Sequence, residues 1–150
     1  MALKIGKIKR KPGAVLIGPY YSYNTYGKMN RYLANQFLQH GDYDIGFHPD
    51  DESHKVLGVL SPLLENRCGR VPATIEYQIF HQIVPQLVAP PVGKWIMMQP
   101  WEYGSIPLTW HEQMKYSVDE IWVYTHYNKS CYLLDGIEAD RIGVIPLGID

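Results

Sequence analysis

The chain has 150 residues, enough for one domain with a sizeable core. Its 46% hydrophobic and 19% charged content is that of an ordinary globular protein, and no repeat or low-complexity segment interrupts it. A net charge of −1 argues against a dedicated nucleic-acid binder, which would carry a basic excess.

Cys68 and Cys131 form no C-x-x-C pair, and the six histidines show no H-E-x-x-H spacing, so no metal site is expected. No apolar run could span a bilayer, and residues 14–17 are too short for the core of a signal peptide. A cytoplasmic location is the expectation, and there the sequon Asn128-Lys129-Ser130 carries no meaning. Residues 1–12 form a basic arm, with Lys4, Lys7, Lys9, Arg10 and Lys11. Such a run reaches phosphates or anionic lipid, or is simply a solvated arm, the commoner fate.

In chain order, residues 14–18 read as a wholly apolar and therefore buried strand. A helix is predicted over 27–39, with Met29, Leu33 and Phe37 on one face, Thr25 as its cap and Gly41 at its exit. Residues 43–47 read as a second strand. A helix over 54–65 is broken or kinked at Ser61-Pro62. Residues 75–80, 95–98 and 121–123 read as the third, fourth and fifth strands. A helix over 108–117 follows Pro107, and another over 127–134 stops at Gly136. Residues 142–145 read as a sixth strand. This alternation predicts an α/β, Rossmann-like parallel sheet of about six strands, with helices on both faces. Sites in such sheets lie at the carboxyl ends of the strands.

Four places there are candidates. The loop 18–27 joins the first strand to the first helix. Gly27 would let backbone approach a ligand, and the helix start would favour an anion. It carries neither a G-x-G-x-x-G fingerprint nor a P-loop, and reads equally well as a plain structural loop. Asn30 and Arg31 follow; Arg31 suits a phosphate, a carboxylate or a surface ion pair. His81 ends the third strand and His126 follows the fifth, though a lone histidine is more often a satisfied structural residue. Gln99-Pro100-Trp101-Glu102-Tyr103-Gly104 follows the fourth strand. There an indole face and the Glu102 carboxylate suit a sugar; the alternative is a core tryptophan with a helix-capping glutamate. Asp42-Tyr43-Asp44 has the D-x-D form of a metal-holding triplet, but it precedes its strand, and a turn explains it better. The aromatic share of 13%, with 12 Tyr and 4 Trp, fits a ring-lined rim or plain core and surface rings.

Pro100-Trp101-Glu102-Tyr103-Gly104-Ser105-Ile106-Pro107, Asp119-Glu120-Ile121-Trp122-Val123 and Val144-Ile145-Pro146-Leu147-Gly148-Ile149-Asp150 are joined by Tyr26-Gly27 with Asn30-Arg31. Together they resemble the N-terminal half of family-4 (group 1) glycosyltransferases of the GT-B fold, over most of residues 14–150. The resemblance implies that residues 13–150 are the acceptor-side domain of a retaining, metal-independent enzyme with no cofactor. A C-terminal domain, absent here, would hold the sugar nucleotide. Its partners would be that sugar nucleotide, a carbohydrate or lipid acceptor, and a separate C-terminal half; alone the chain is expected to be inactive. Tyr26, Gly27, Asn30, Arg31, His81, Trp101 and Glu102 are the expected substrate-binding residues. Some relatives place a histidine after the fourth strand; Trp101 and Glu102 stand there, so no catalytic residue is assigned. A non-catalytic sugar- or nucleotide-binding module is the alternative. Half of a nicotinamide-dependent enzyme is disfavoured by the missing fingerprint.

Overall fold

The structure is a computed structural model that describes residues 10–148. Lys4, Lys7 and Lys9 of the predicted basic arm, and Ile149 and Asp150 of the last piece, lie outside the described residues. Six strands form one sheet: β1 (Gly13–Gly18), β2 (Asp44–Pro49), β3 (Tyr77–Phe80), β4 (Lys94–Met98), β5 (Glu120–Val123) and β6 (Ile142–Val144). Every pairing is parallel, and the order is β2-β1-β3-β4-β5-β6. Helix α1 (Thr25–His40) lies between β1 and β2, the one-turn α2 (Pro62–Glu65) between β2 and β3, α3 (Leu108–Tyr116) between β4 and β5, and α4 (His126–Leu134) between β5 and β6.

Side-chain alternation along the strands builds a core on each face. One holds Leu16, Ile45, Phe47, Ile79 and Ile96, packed with Leu33, Ala34 and Phe37 of α1. The other holds Phe80, Trp95, Met97, Ile121 and Val123, packed with Met114 of α3 and Tyr132 of α4. The α/β, Rossmann-like architecture with helices on both faces is therefore the observed one. Among the described residues, no helix is long and apolar enough to cross a membrane.

Two expectations are corrected. Asn24, not Thr25, caps α1: its side chain accepts from the Gly27 N–H at 2.9 Å, which leaves Thr25 as the first helical residue. No helix runs over 54–65. A 3-10 turn at Glu52–His54 and the short α2 stand there instead. Pro62 lacks the N–H a continuing helix needs, and Ser61 caps a new turn that starts at it. Gly41 ends α1 as predicted, at φ 69°, with its N–H donating to the Phe37 carbonyl at 3.1 Å.

Strand β2 is an edge strand, and the chain covers it with its own backbone. Phe47 donates to the Arg67 carbonyl at 3.4 Å, and Gly69 donates to the Phe47 carbonyl at 2.9 Å. Arg70 also forks onto both oxygens of Asp44, the second aspartate of the D-x-D triplet. Gly46 makes this close return possible, since a Cβ there would lie 1.8 Å from the Arg70 carbonyl oxygen. Gly46→Ala is predicted to lose about 1–3 kcal/mol in urea unfolding. Gly148→Ala, which meets nothing within 4 Å, should stay within about 0.5 kcal/mol of the parent. Equal midpoints for the two variants would contradict the covered edge.

Candidate functional site

In an open parallel sheet, the point where strand order reverses opens a crevice outside the carboxyl ends. Here β1 is flanked by β2 and β3, so the reversal lies between β1 and β3. Gly18 ends β1 and His81 follows β3, and the His81 N–H donates to the Ile17 carbonyl at 2.9 Å. A Cβ on Gly18 would lie 2.2 Å from the His81 carbonyl oxygen and 2.5 Å from the Asn30 amide nitrogen. Only glycine lets the two strand ends and α1 meet so closely.

That meeting forms a buried polar cluster. His81 and Asn30 are 1% and 2% exposed. The Asn30 amide nitrogen donates to the Pro19 carbonyl at 2.8 Å and to the His81 carbonyl at 3.1 Å. Its oxygen lies 2.6 Å from His81 Nδ1. The other ring nitrogen, Nε2, lies 2.5 Å from the hydroxyl of Tyr124, the residue after β5. Tyr26 stacks on the imidazole, with ring centres 4.8 Å apart. Burial pulls the His81 pKa down to about 4, so the ring is neutral at physiological pH. Burial raises the Tyr124 pKa, and the neighbouring Tyr26 adds to the rise. Burial and the charge of Glu102 raise that of Tyr26.

The loop after β1 is already filled by an internal anion. The backbone N–H groups of Tyr20, Tyr21 and Ser22 donate to the Asp51 carboxylate at 2.8, 3.0 and 2.7 Å, and the Ser22 hydroxyl donates at 2.7 Å. Burial alone would raise the Asp51 pKa. The Ser22 hydroxyl and the three amides outweigh it and hold the carboxyl below its usual value. Arg31 closes the same loop, donating to the Tyr20 and Ser22 carbonyls at 2.5 and 3.0 Å. Gly27 packs against this loop too, since a Cβ would lie 2.1 Å from the Ser22 carbonyl oxygen.

Trp101 and Glu102 occupy the neighbouring strand end. The indole stands edge-on to Trp110 and Tyr103, at 5.1 and 5.2 Å, and its N–H donates to the Ser105 carbonyl at 3.0 Å. The backbone beside it is fixed from α4, where Asn128 donates to the Trp101 carbonyl at 2.8 Å. Glu102 and Tyr103 are exposed.

The structure thus brings Tyr26, Asn30 and His81 into direct contact and sets Glu102 near enough to act on Tyr26. Gly27 and Arg31 shape the adjoining loop, and His126 lies exposed in the first turn of α4. Sequence reasoning named Gly18 only as the start of the candidate loop, and it missed Asp51 and Tyr124. The signal for Tyr124 was present: it follows a predicted strand, as His81 does. Asp51 gave no local signal, because its partners lie 29–31 residues away. A cavity of about 410 Å³ opens on the face of the sheet between Val15, Ile17, Phe80 and Pro90, and neither His81, Tyr124 nor Trp101 lines it.

Two predictions follow from these contacts. Unfolded histidine protonates near pH 6.5, whereas folded His81 protonates near 4. Between those values the unfolded chain binds more protons, so stability falls as pH drops through that window, by about 3 kcal/mol from this group. In an NMR titration the His81 ring should keep its neutral shifts down to the lower value; a midpoint near 6.5 would contradict its burial. Asp51→Ala strands three amides and should lose roughly 3 kcal/mol in urea unfolding, with Asp51→Asn losing about half as much. No loss in either variant would contradict the filled loop.

Comparison with family models, curated proteins and solved structures returned no match. The reading of the site therefore rests on its own residues.

Proposed function

We propose that the chain is the acceptor-binding unit of a retaining glycosyltransferase, taking a carbohydrate or the glycosidic headgroup of a lipid at the carboxyl ends of β1, β3, β4 and β5. The observation that carries this reading is the chemistry offered at those ends. The loop amides that could hold a phosphate are engaged by Asp51. Beside them stand aromatic rings, an exposed carboxylate at Glu102 and the Tyr124 hydroxyl. Rings and acceptor oxygens suit the C–H faces and hydroxyls of a sugar, and suit a diphosphate poorly. The donor sugar nucleotide would be held by a second unit, as the resemblance implies. We place the reaction in the cytoplasm, where the free thiols Cys68 and Cys131 would stay reduced.

Saturation-transfer NMR on the full chain tests this reading with methyl pyranosides and a set of nucleoside diphosphate sugars. Transfer to the pyranoside protons is expected, and it should fall about tenfold in Trp101→Ala and in Glu102→Gln, the loss of one good contact each. Transfer confined to the base and ribose of the nucleotides would overturn it.

A further inference from the structure

Hydrogen-bond bookkeeping fixes the direction of every proton in the buried cluster. Asn30 presents its amide nitrogen to two backbone carbonyls, at 2.8 and 3.1 Å. Carbonyls only accept, so the nitrogen must face them and the Asn30 oxygen must face His81. That oxygen also only accepts, so the ring nitrogen 2.6 Å away, Nδ1, carries the hydrogen. The neutral ring has one hydrogen to place, which leaves Nε2 as a bare acceptor. The Tyr124 hydroxyl 2.5 Å from Nε2 must therefore donate to it. The Met29 sulfur, at 3.5 Å, is a weaker competitor for the same hydrogen.

A tyrosine hydroxyl has one hydrogen and two lone pairs. With its hydrogen held by His81, Tyr124 can only accept from anything else. Of the three residues, Asn30 and His81 are buried and Tyr124 is half-buried, so Tyr124 is the end of the relay nearest solvent. The Glu102 carboxylate, whose charge acts on Tyr26, is an acceptor as well. We propose that Tyr124 is a specificity-determining residue that accepts a hydrogen bond from one substrate hydroxyl, with His81 and Asn30 as positioning residues that fix its polarity. This rests on the acceptor-binding reading and narrows it. The ligand group at this point is a hydroxyl that donates a hydrogen bond; an ionised carboxylate or phosphate oxygen, with only acceptors to offer, is turned away from this position. A purely structural pin between α1, β3 and β5 would need the same contacts but would not select among ligands.

Two measurements on the full chain test it. Long-range ¹H–¹⁵N NMR of the unaltered chain should show His81 as the Nδ1–H tautomer; the Nε2–H tautomer overturns the inference and leaves the acceptor-binding reading standing. Binding of methyl glucopyranoside, methyl galactopyranoside and methyl mannopyranoside is then compared with that of their monodeoxy analogues, in the unaltered chain and in Tyr124→Phe. The variant should bind a parent pyranoside about tenfold more weakly, while one monodeoxy analogue binds both proteins equally, as a double-mutant cycle requires of a direct pair. Uniform weakening of every analogue would mark a structural effect, and equal binding of the parent would mark no role; either overturns the inference alone. Failure of the unaltered chain to bind any of the three parent pyranosides overturns both readings.

Discussion

The side-chain amide of Asn30 is the contact on which the carboxyl end of the sheet depends. It joins the turn after β1, through Pro19, to the residue after β3, through both the backbone and the ring of His81. Parallel strands leave their end groups without ladder partners, and a buried amide or imidazole without a partner is costly. One asparagine on α1 satisfies three such groups at once. It can do so only because Gly18 has no Cβ between them, and because Asn24 starts the helix at the register that puts residue 30 at the carboxyl ends of β1 and β3. With the imidazole held on one side, its remaining nitrogen meets Tyr124 at the end of β5, past the end of β4.

The loop beside this cluster follows a different logic. In many α/β proteins the turn after the first strand offers its amides to a ligand phosphate. Here Asp51, from the far end of β2, takes that place with a charge of the same sign. Arg31 then donates to the loop's Tyr20 and Ser22 carbonyls, while the buried Tyr20 hydroxyl is left without a partner among the described residues. The result is a wall held by hydrogen bonds from within the chain. Selectivity would then fall to the groups outside the wall, which are rings and acceptor oxygens. A preorganised surface of this kind loses little entropy on binding.

Much of the fold was legible in the sequence because the apolar runs at 14–17, 95–98 and 121–123 are short, continuous and punctuated by Gly, Pro or Asp. Such runs have one stable home, a buried parallel strand. Over 54–65 the break expected at Ser61-Pro62 is real, since α2 starts there, but no helix precedes it: Gly58 stands at φ 83° in between. Asn30 and His81 were picked out from their positions alone. Their direct contact was invisible, since 51 residues separate them and no local pattern joins them. Arg31 was read as a group for an outside phosphate or carboxylate, or for a surface ion pair. Its guanidinium instead serves the carbonyls of its own loop, a use of arginine that only the folded turn reveals.

The central claim is that the strand ends around His81 form a sugar-binding surface. Mapping amide and side-chain shift changes on the full chain as a methyl pyranoside is added tests it most directly. Changes concentrated on Tyr26, Gly27, Trp101, Glu102 and Tyr124, with the residues around Asp44 and Arg70 at the opposite end of the sheet unmoved, are the result the structure predicts. Changes that cluster instead on the face lined by Val15, Val88 and Pro90, or that leave Tyr26 and Tyr124 untouched, would contradict it.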